Sequence, residues 1–228
     1  MRVLTYNIRG GLGMDGRRDT RRVARVVAAE NPDVVCFQEV HQRLPWSGWQ
    51  DQPGLLKRAL GMPLTFQKCF GYPFGGYGLG VASRFPLRRV RRRRLPGRGE
   101  PRGALEVQLD WDGRGLSVFC THWGLSAAER AAQAAQMTRW VQAAPRPTIV
   151  CGDLNDAPSA DYVQEMLRVT RLQDAGAHDD APTYPADTPR ARIDVLLYSG
   201  ELRVSQARVL PATASDHRPL VVDFTWDV

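Results

Sequence analysis

The chain has 228 residues, 43% of them hydrophobic, with 21 glycines and 16 prolines, which suits a sizeable core of short elements joined by turns. The formal net charge of +7 favours a phosphate-bearing or polyanionic partner without naming one. No window approaches the ~20 consecutive apolar residues of a membrane-spanning helix, which excludes an integral helical membrane protein.

No internal repeat, linker or shift of composition divides the chain, so one domain over residues 1–228 is expected, as a monomer. The N-terminus enters a strand at once and shows no signal peptide. Cys36, Cys69, Cys120 and Cys151 are widely spaced, and three lie in apolar strand-like runs. Buried free thiols are therefore expected, rather than disulfides or zinc ligands, and with them a cytoplasmic location.

Arg2 to Ile8 alternates and is rich in β-branched residues, so it reads as a strand ending near Asn7. Gly10 to Gly16 is a flexible rim that lacks the ending of a P-loop. A helix capped by Asp19 or Thr20 carries Val23, Val26 and Val27 on one face and stops at Asn31-Pro32. The next strand, Asp33 to Val40, is apolar until Glu39 intrudes. A loop with Trp46 and Trp49 leads to a short helix over Leu55–Leu60, then to strands at Leu64–Phe70 and Gly78–Ser83. Strands at Leu87–Leu95 and Ala104–Trp111 flank a loop with Glu100 and Arg102. Six arginines within Arg88–Arg94 read either as a charged, protected edge strand or as a phosphate-contacting ridge.

After the Asp112-Gly113 turn, Leu116–Cys120 ends at Thr121-His122. Ser126 and Glu129 form a capping box for a helix to Gln142. A buried strand, Thr148–Cys151, delivers Gly152-Asp153-Leu154-Asn155. A helix over Ala160–Leu167 and strands at Ile193–Tyr198, Arg203–Leu210 and Leu220–Phe224 complete the chain. Strands run in groups with few helices between them, which predicts two mostly antiparallel sheets packed face to face with helices outside.

Specific polar residues stand at the ends of apolar strands: Asn7, Glu39, His122, Asp153 with Asn155, Asp194, and Asp216 with His217. A chain that needed only turns would use Gly, Ser and Pro there. Residues two apart in an extended segment point the same way, so Asp153 and Asn155 can face one point. Buried carboxylates need a cation or a histidine. The oxygen-rich set Asn7, Glu39, Asp153, Asn155 and Asp216 suits Mg²⁺ or Mn²⁺ better than zinc.

The ordered motifs Thr5-Tyr6-Asn7, Gln38-Glu39, Ser83-Arg84-Phe85-Pro86, Thr121-His122, Gly152-Asp153-Leu154-Asn155, Arg192-Ile193-Asp194 and Ser215-Asp216-His217 resemble those of the endonuclease/exonuclease/phosphatase superfamily. The family includes deoxyribonuclease I, exonuclease III-like repair enzymes, sphingomyelinases and inositol-polyphosphate 5-phosphatases. The resemblance implies an α/β four-layer sandwich, with two central mostly antiparallel β-sheets flanked by helices. It implies Glu39 as principal metal ligand, with Asn7 and Asp216 shaping the metal site. His217 would be the catalytic histidine oriented by Asp194, Asp153 and Asn155 would position water and phosphate or a second metal, and His122 would bond a phosphate oxygen. Arg84 and Arg102 are candidate substrate contacts.

Repair enzymes of the family usually carry a lysine soon after Gln-Glu and an Arg-Leu-Asp-Tyr motif. Here the chain has Glu39-Val40-His41 and Arg192-Ile193-Asp194-Val195, which weighs against abasic-site repair. The expected function is Mg²⁺- or Mn²⁺-dependent hydrolysis of a phosphodiester, in nucleic acid, a small molecule or a phospholipid. The alternatives are a phosphomonoesterase of the same fold and a non-catalytic nucleic-acid-binding module.

Overall fold

Apolar and β-branched runs bounded by turns fold as strands, and the computed structural model describes residues 1–227. The first half holds β1 (Arg2–Asn7), α1 (Thr20–Ala29), β2 (Val34–Gln42), α2 (Gln52–Leu60), β3 (Leu64–Tyr72), β4 (Gly75–Ser83), β5 (Leu87–Arg94) and β6 (Gly103–Trp111). The second holds β7 (Arg114–His122), α3 (Ala127–Gln142), β8 (Thr148–Asp153), α4 (Asp161–Thr170), β9 (Leu172–Asp174), β10 (Asp194–Ser199), β11 (Leu202–Val209) and β12 (Leu220–Trp226). Every expected element is present, and β9 is an addition too short to give a periodic signal.

Two six-stranded sheets form, in the orders β11-β12-β1-β2-β4-β3 and β5-β6-β7-β8-β10-β9. Their inner faces meet in one apolar layer that includes Val3, Cys36 and Val81 from one sheet and Val107, Cys120, Cys151 and Leu196 from the other. Behind the first sheet, Tyr6, Val35 and Phe37 pack on Val23 and Val27 of α1 and Leu56 of α2. Behind the second, Phe119, Val150 and Leu197 pack on Met137 and Val141 of α3 and Val163 and Met166 of α4. The four-layer sandwich expected from the sequence is the fold observed.

Each sheet repeats one motif at its centre. β1 and β2 pair in parallel, as do β7 and β8, while the strands outside each pair run antiparallel. A parallel pair needs a crossover connection, supplied by α1 in one sheet and α3 in the other. The carboxyl ends of central parallel strands are where open α/β sheets leave a crevice.

Local chemistry accounts for the helix ends. Asp19 caps α1 by accepting from the backbone N–H groups of Arg21 and Arg22. Ser126 caps α3 by accepting from Glu129 N at 3.3 Å. The reciprocal half of the predicted capping box is replaced. The Glu129 carboxylate instead accepts from Arg98 N and Gly99 N at 2.8 and 2.7 Å, which ties the loop carrying Glu100 and Arg102 to the helix.

The arginine run lies on β5, an edge strand. Arg91 and Arg93 turn onto the buried Glu106 of β6, at 3.2 and 2.6 Å, and Arg88 pairs with Asp110. Arg88, Arg91 and Arg93 thus fit the charged, protected edge of the two sequence readings.

Gly152 sets the approach of β8 to β7. Its φ is +150°, and a Cβ there would stand 1.9 Å from the Thr121 carbonyl oxygen. Gly152→Ala should destabilise the fold by roughly 3 kcal/mol or more, the range of a backbone clash at a special φ/ψ. Thermal unfolding of the variant checks this; an unchanged Tm would show that the two strands can part without cost.

Candidate active site

A β-bulge delivers Glu39. Phe37 pairs with Gly80 and Val40 with Gly78, so Gln38 and Glu39 together oppose Leu79. Phe37 and Val40 both face the helix layer, which strict alternation forbids. The extra residue is Glu39, held at φ 54° and turned out into the cleft. Asn7 ends β1, His122 ends β7 and Asp153 ends β8. Asp194 opens β10 directly opposite Asp153, and His217 lies in the turn before β12. The two sheets thus bring their strand ends to one cleft of about 460 Å³, lined in part by Glu39, Arg102, His122, Asp153, Asp216 and His217.

Hydrogen bonds knit these groups across the sheets. The Asn7 amide donates to Glu39 Oε1 at 3.0 Å and to Asp153 Oδ2 at 2.9 Å, while its oxygen accepts from Arg9 N. His217 Nδ1 bonds Asp194 Oδ2 at 2.8 Å, and its Nε2 lies 3.6 Å from Asp153 Oδ2. Asn155 N donates to Asp153 Oδ1 at 2.8 Å, and the Asn155 side chain donates to Trp123 O. His122 Nε2 lies 3.3 Å from Asp153 Oδ2, and its Nδ1 lies 3.0 Å from the Tyr77 hydroxyl. Arg102 Nη1 stands 2.8 and 2.9 Å from the two His122 ring nitrogens, and Asp216 pairs with Arg9 at 3.2 Å.

Burial sets the charges. Burial alone would push the His217 imidazole toward neutrality, but the adjoining Asp194 carboxylate, with Asp153 and Asp216 beyond it, raises its pKa to about 10. Burial raises the Asp153 carboxyl to about 7 against the pull of His217 and its hydrogen bonds. His122 is driven well below the usual histidine range by burial and by the Arg102 charge, so it is neutral at pH 7. Glu39 is raised by burial and, despite the Asn7 bond, by the Asp216 charge.

These residues fit a hard divalent cation. Glu39 and Asp216 put two carboxylates on one cleft, and Glu39 receives only the Asn7 amide within the protein. A cation there would offset the charge that burial penalises. A tighter group, Asp153, Asp194 and His217, has ligand-type atoms within 4.8 Å of one another. In it, however, His217 Nδ1 is already committed to Asp194, so it reads as a hydrogen-bonded relay.

Among the predicted residues, Asn7, Glu39, His122, Asp153, Asn155, Asp194, Asp216, His217 and Arg102 come together at or beside the cleft. Arg84 does not, which corrects its reading as a substrate contact. β4 runs antiparallel to β2, so its last residue, Ser83, pairs with Val34 at the far end of β2. There Arg84 bonds Pro32 O and Asn31, five residues or roughly 17 Å of strand from Glu39. The sequence reading missed Tyr77 and Tyr184, both lining the cleft. Tyr77 had a signal: it is the one bulky residue in Gly75-Gly76-Tyr77-Gly78. Tyr184, whose ring centroid lies 4.9 Å from that of His217, comes from a loop with no periodicity.

Two packed six-stranded sheets with helices outside and a polar cleft at their strand ends define a deoxyribonuclease I-like sandwich. Solved structures share it closely. An endonuclease/exonuclease/phosphatase from Beutenbergia cavernae superposes with a TM-score of 0.84 at 26% identity, over 99% of this chain and 71% of that one. A mannosyl-6-phosphatase from Bacteroides thetaiotaomicron gives 0.84 at 19% identity, over 99% and 100% of the two chains. The catalytic domain of human Nocturnin, with a bound sulfate anion, gives 0.78 at 24% identity, over 100% and 94%.

The chain belongs to the endonuclease/exonuclease/phosphatase family, whose model matches residues 4–217 and whose members hydrolyse phosphoester bonds. It is also 32% identical to the uncharacterized protein YbhP of Escherichia coli, over 96% of this chain and 94% of that one.

Proposed function

We propose that the chain is a divalent-metal-dependent phosphodiesterase that uses Mg²⁺ or Mn²⁺. The observation that carries this reading is His217, held protonated by Asp194 in the same cleft as the Glu39 and Asp216 carboxylates. A phosphoester in that cleft would meet positive charge from the imidazolium and from a cation held by the carboxylates, which offsets the charge of phosphoryl transfer.

Glu39, Asp216 and the Asn7 side chain would hold the cation. When bound, it supplies Lewis-acid neutralisation of the phosphate's charge. Asp153 orients the attacking water and takes its proton: its carboxylate is fixed by Asn7 and Asn155 N, and its pKa near 7 suits a general base. His217 keeps its proton on Nε2 and donates to a phosphate oxygen or to the leaving oxygen, while Asp194 fixes the ring. Neutral His122, in contact with the Tyr77 hydroxyl and Arg102, adds a second imidazole to the cleft wall. Arg102, braced by Glu100 and Tyr77, adds charge at the cleft wall. We read the chain as one monomeric, cytoplasmic domain over residues 1–228.

The test is turnover of bis-p-nitrophenyl phosphate and p-nitrophenyl phosphate with Mg²⁺ or Mn²⁺, with and without EDTA. Metal-dependent turnover that favours the diester is expected. Preference for the monoester would make the chain a phosphatase, and turnover that EDTA leaves untouched would remove the metal from the proposal.

A further inference from the structure

Seven large hydrophobic side chains are exposed among the described residues, and all lie on loops or strand ends at the cleft end of the molecule. On one flank are Trp46 and Trp49, after β2, with Phe70, Tyr72 and Phe74 at the β3–β4 hairpin. Contacts join this flank to the cleft wall: Tyr77 to His41 at 5.8 Å between ring centroids, His41 to Trp46 at 6.5 Å, and Trp46 to Tyr72 at 6.4 Å. On the other flank, Leu125 and Tyr184 line the cleft itself. Phe74, at the hairpin tip, is 83% exposed and Leu125 73%. The mouth is therefore rimmed with apolar groups on both sides, whereas ordinary surfaces scatter them singly.

We propose that this rim docks on an anionic phospholipid bilayer and that the substrate is a phosphodiester presented at that surface. The substrate part rests on the phosphodiesterase reading above. Trp and Tyr favour the headgroup level, and Phe and Leu favour the acyl boundary beneath it. Exposed Arg43, Lys68 and Arg190 stand beside these loops, and the net charge of +7 complements an anionic leaflet. A single-stranded nucleic acid fits the same features less well. Leu125 has no π-face on which a base could stack, and the densest positive run lies on the outer edge strand, with Arg91 and Arg93 turned into Glu106.

The experiment is co-sedimentation of the full chain with vesicles of phosphatidylglycerol and phosphatidylcholine, beside pure phosphatidylcholine vesicles and a single-stranded oligonucleotide. The wild type should sediment with the anionic vesicles and show a blue shift of tryptophan emission. A Trp49→Ser/Phe74→Ser variant should partition roughly tenfold more weakly or worse, since two aromatic side chains no longer leave water. Its turnover of soluble bis-p-nitrophenyl phosphate should be unchanged, because neither residue lines the cleft. Failure to bind any vesicle, equal binding by variant and wild type, or binding of the oligonucleotide through Trp49 and Phe74 would each overturn the proposal. Vesicle binding is read without turnover, and turnover without vesicles, so loss of the docking surface and loss of the phosphodiesterase reading give different results.

Discussion

His217→Ala should turn over a phosphodiester roughly 10³-fold more slowly, the middle of the range for removing a positioned proton donor, and should melt lower at neutral pH because Asp194 is left buried without its partner. The side chain is buried against Tyr184 and Asp194, and its loss leaves the apolar layers intact. Cation binding should persist, because Glu39, Asn7 and Asp216 are untouched. Asp194→Asn is the finer probe. It keeps the shape of the contact and removes the charge that outweighs burial in raising His217 to about 10. Activity needs the protonated ring, so it is present below that pKa and lost above it. The alkaline limb of the pH–rate profile should therefore move to lower pH in the variant, and an unmoved limb would assign it to another group. The sign for stability follows in the same way. A folded-state pKa above the ordinary 6.5 contributes stability that is full below pH 6.5 and lost as pH rises toward 10.

Glu39→Gln should lower kcat/KM by roughly 100-fold or more and abolish activation by Mn²⁺, since one of two anionic ligands is gone. The same change should raise the melting temperature of the cation-free protein. Burial and the Asp216 charge oppose the ionised form of Glu39 and outweigh the Asn7 hydrogen bond and the charges of His217 and Arg102. Its folded pKa is raised, so its ionisation costs stability as pH climbs above the carboxylate range. Differential scanning fluorimetry separates the two effects. Mn²⁺ should stabilise the wild type by mass action and leave the variant unmoved. A variant that melts lower without metal and is still stabilised by Mn²⁺ would place the cation elsewhere.

The fold was largely legible because its strands are short apolar or alternating runs bounded by turns and its helices carry caps that physics makes recognisable, such as Asp19 and Ser126. The site was legible for a related reason: nothing in a core explains Asp153, Asp194 and His217 at strand ends. Strand direction was the information left unused. β2 runs toward the cleft and β4 runs away from it, so the start of β4 lies near the chemistry and its end does not. That parity brings Tyr77 in and takes Arg84 out. The bulge at Glu39 was hidden because Phe37-Gln38-Glu39-Val40 contains no glycine or proline to mark it. Tyr184 was hidden because only tertiary packing places its loop.

The inner apolar layer has a further consequence. Asn7, Glu39 and His217 ride on one sheet, and His122, Asp153 and Asp194 on the other, so that layer, together with the hydrogen bonds across the cleft, sets the spacing between them. Cys36, Cys120 and Cys151 are small side chains within it, just behind the strand ends. Enlarging one of them would wedge the sheets apart and lengthen every bond across the cleft together. Catalytic geometry tolerates little of that. Residues that never see substrate therefore act as the gauge of the reaction, and drift in the core should register as lost turnover before it registers as lost fold.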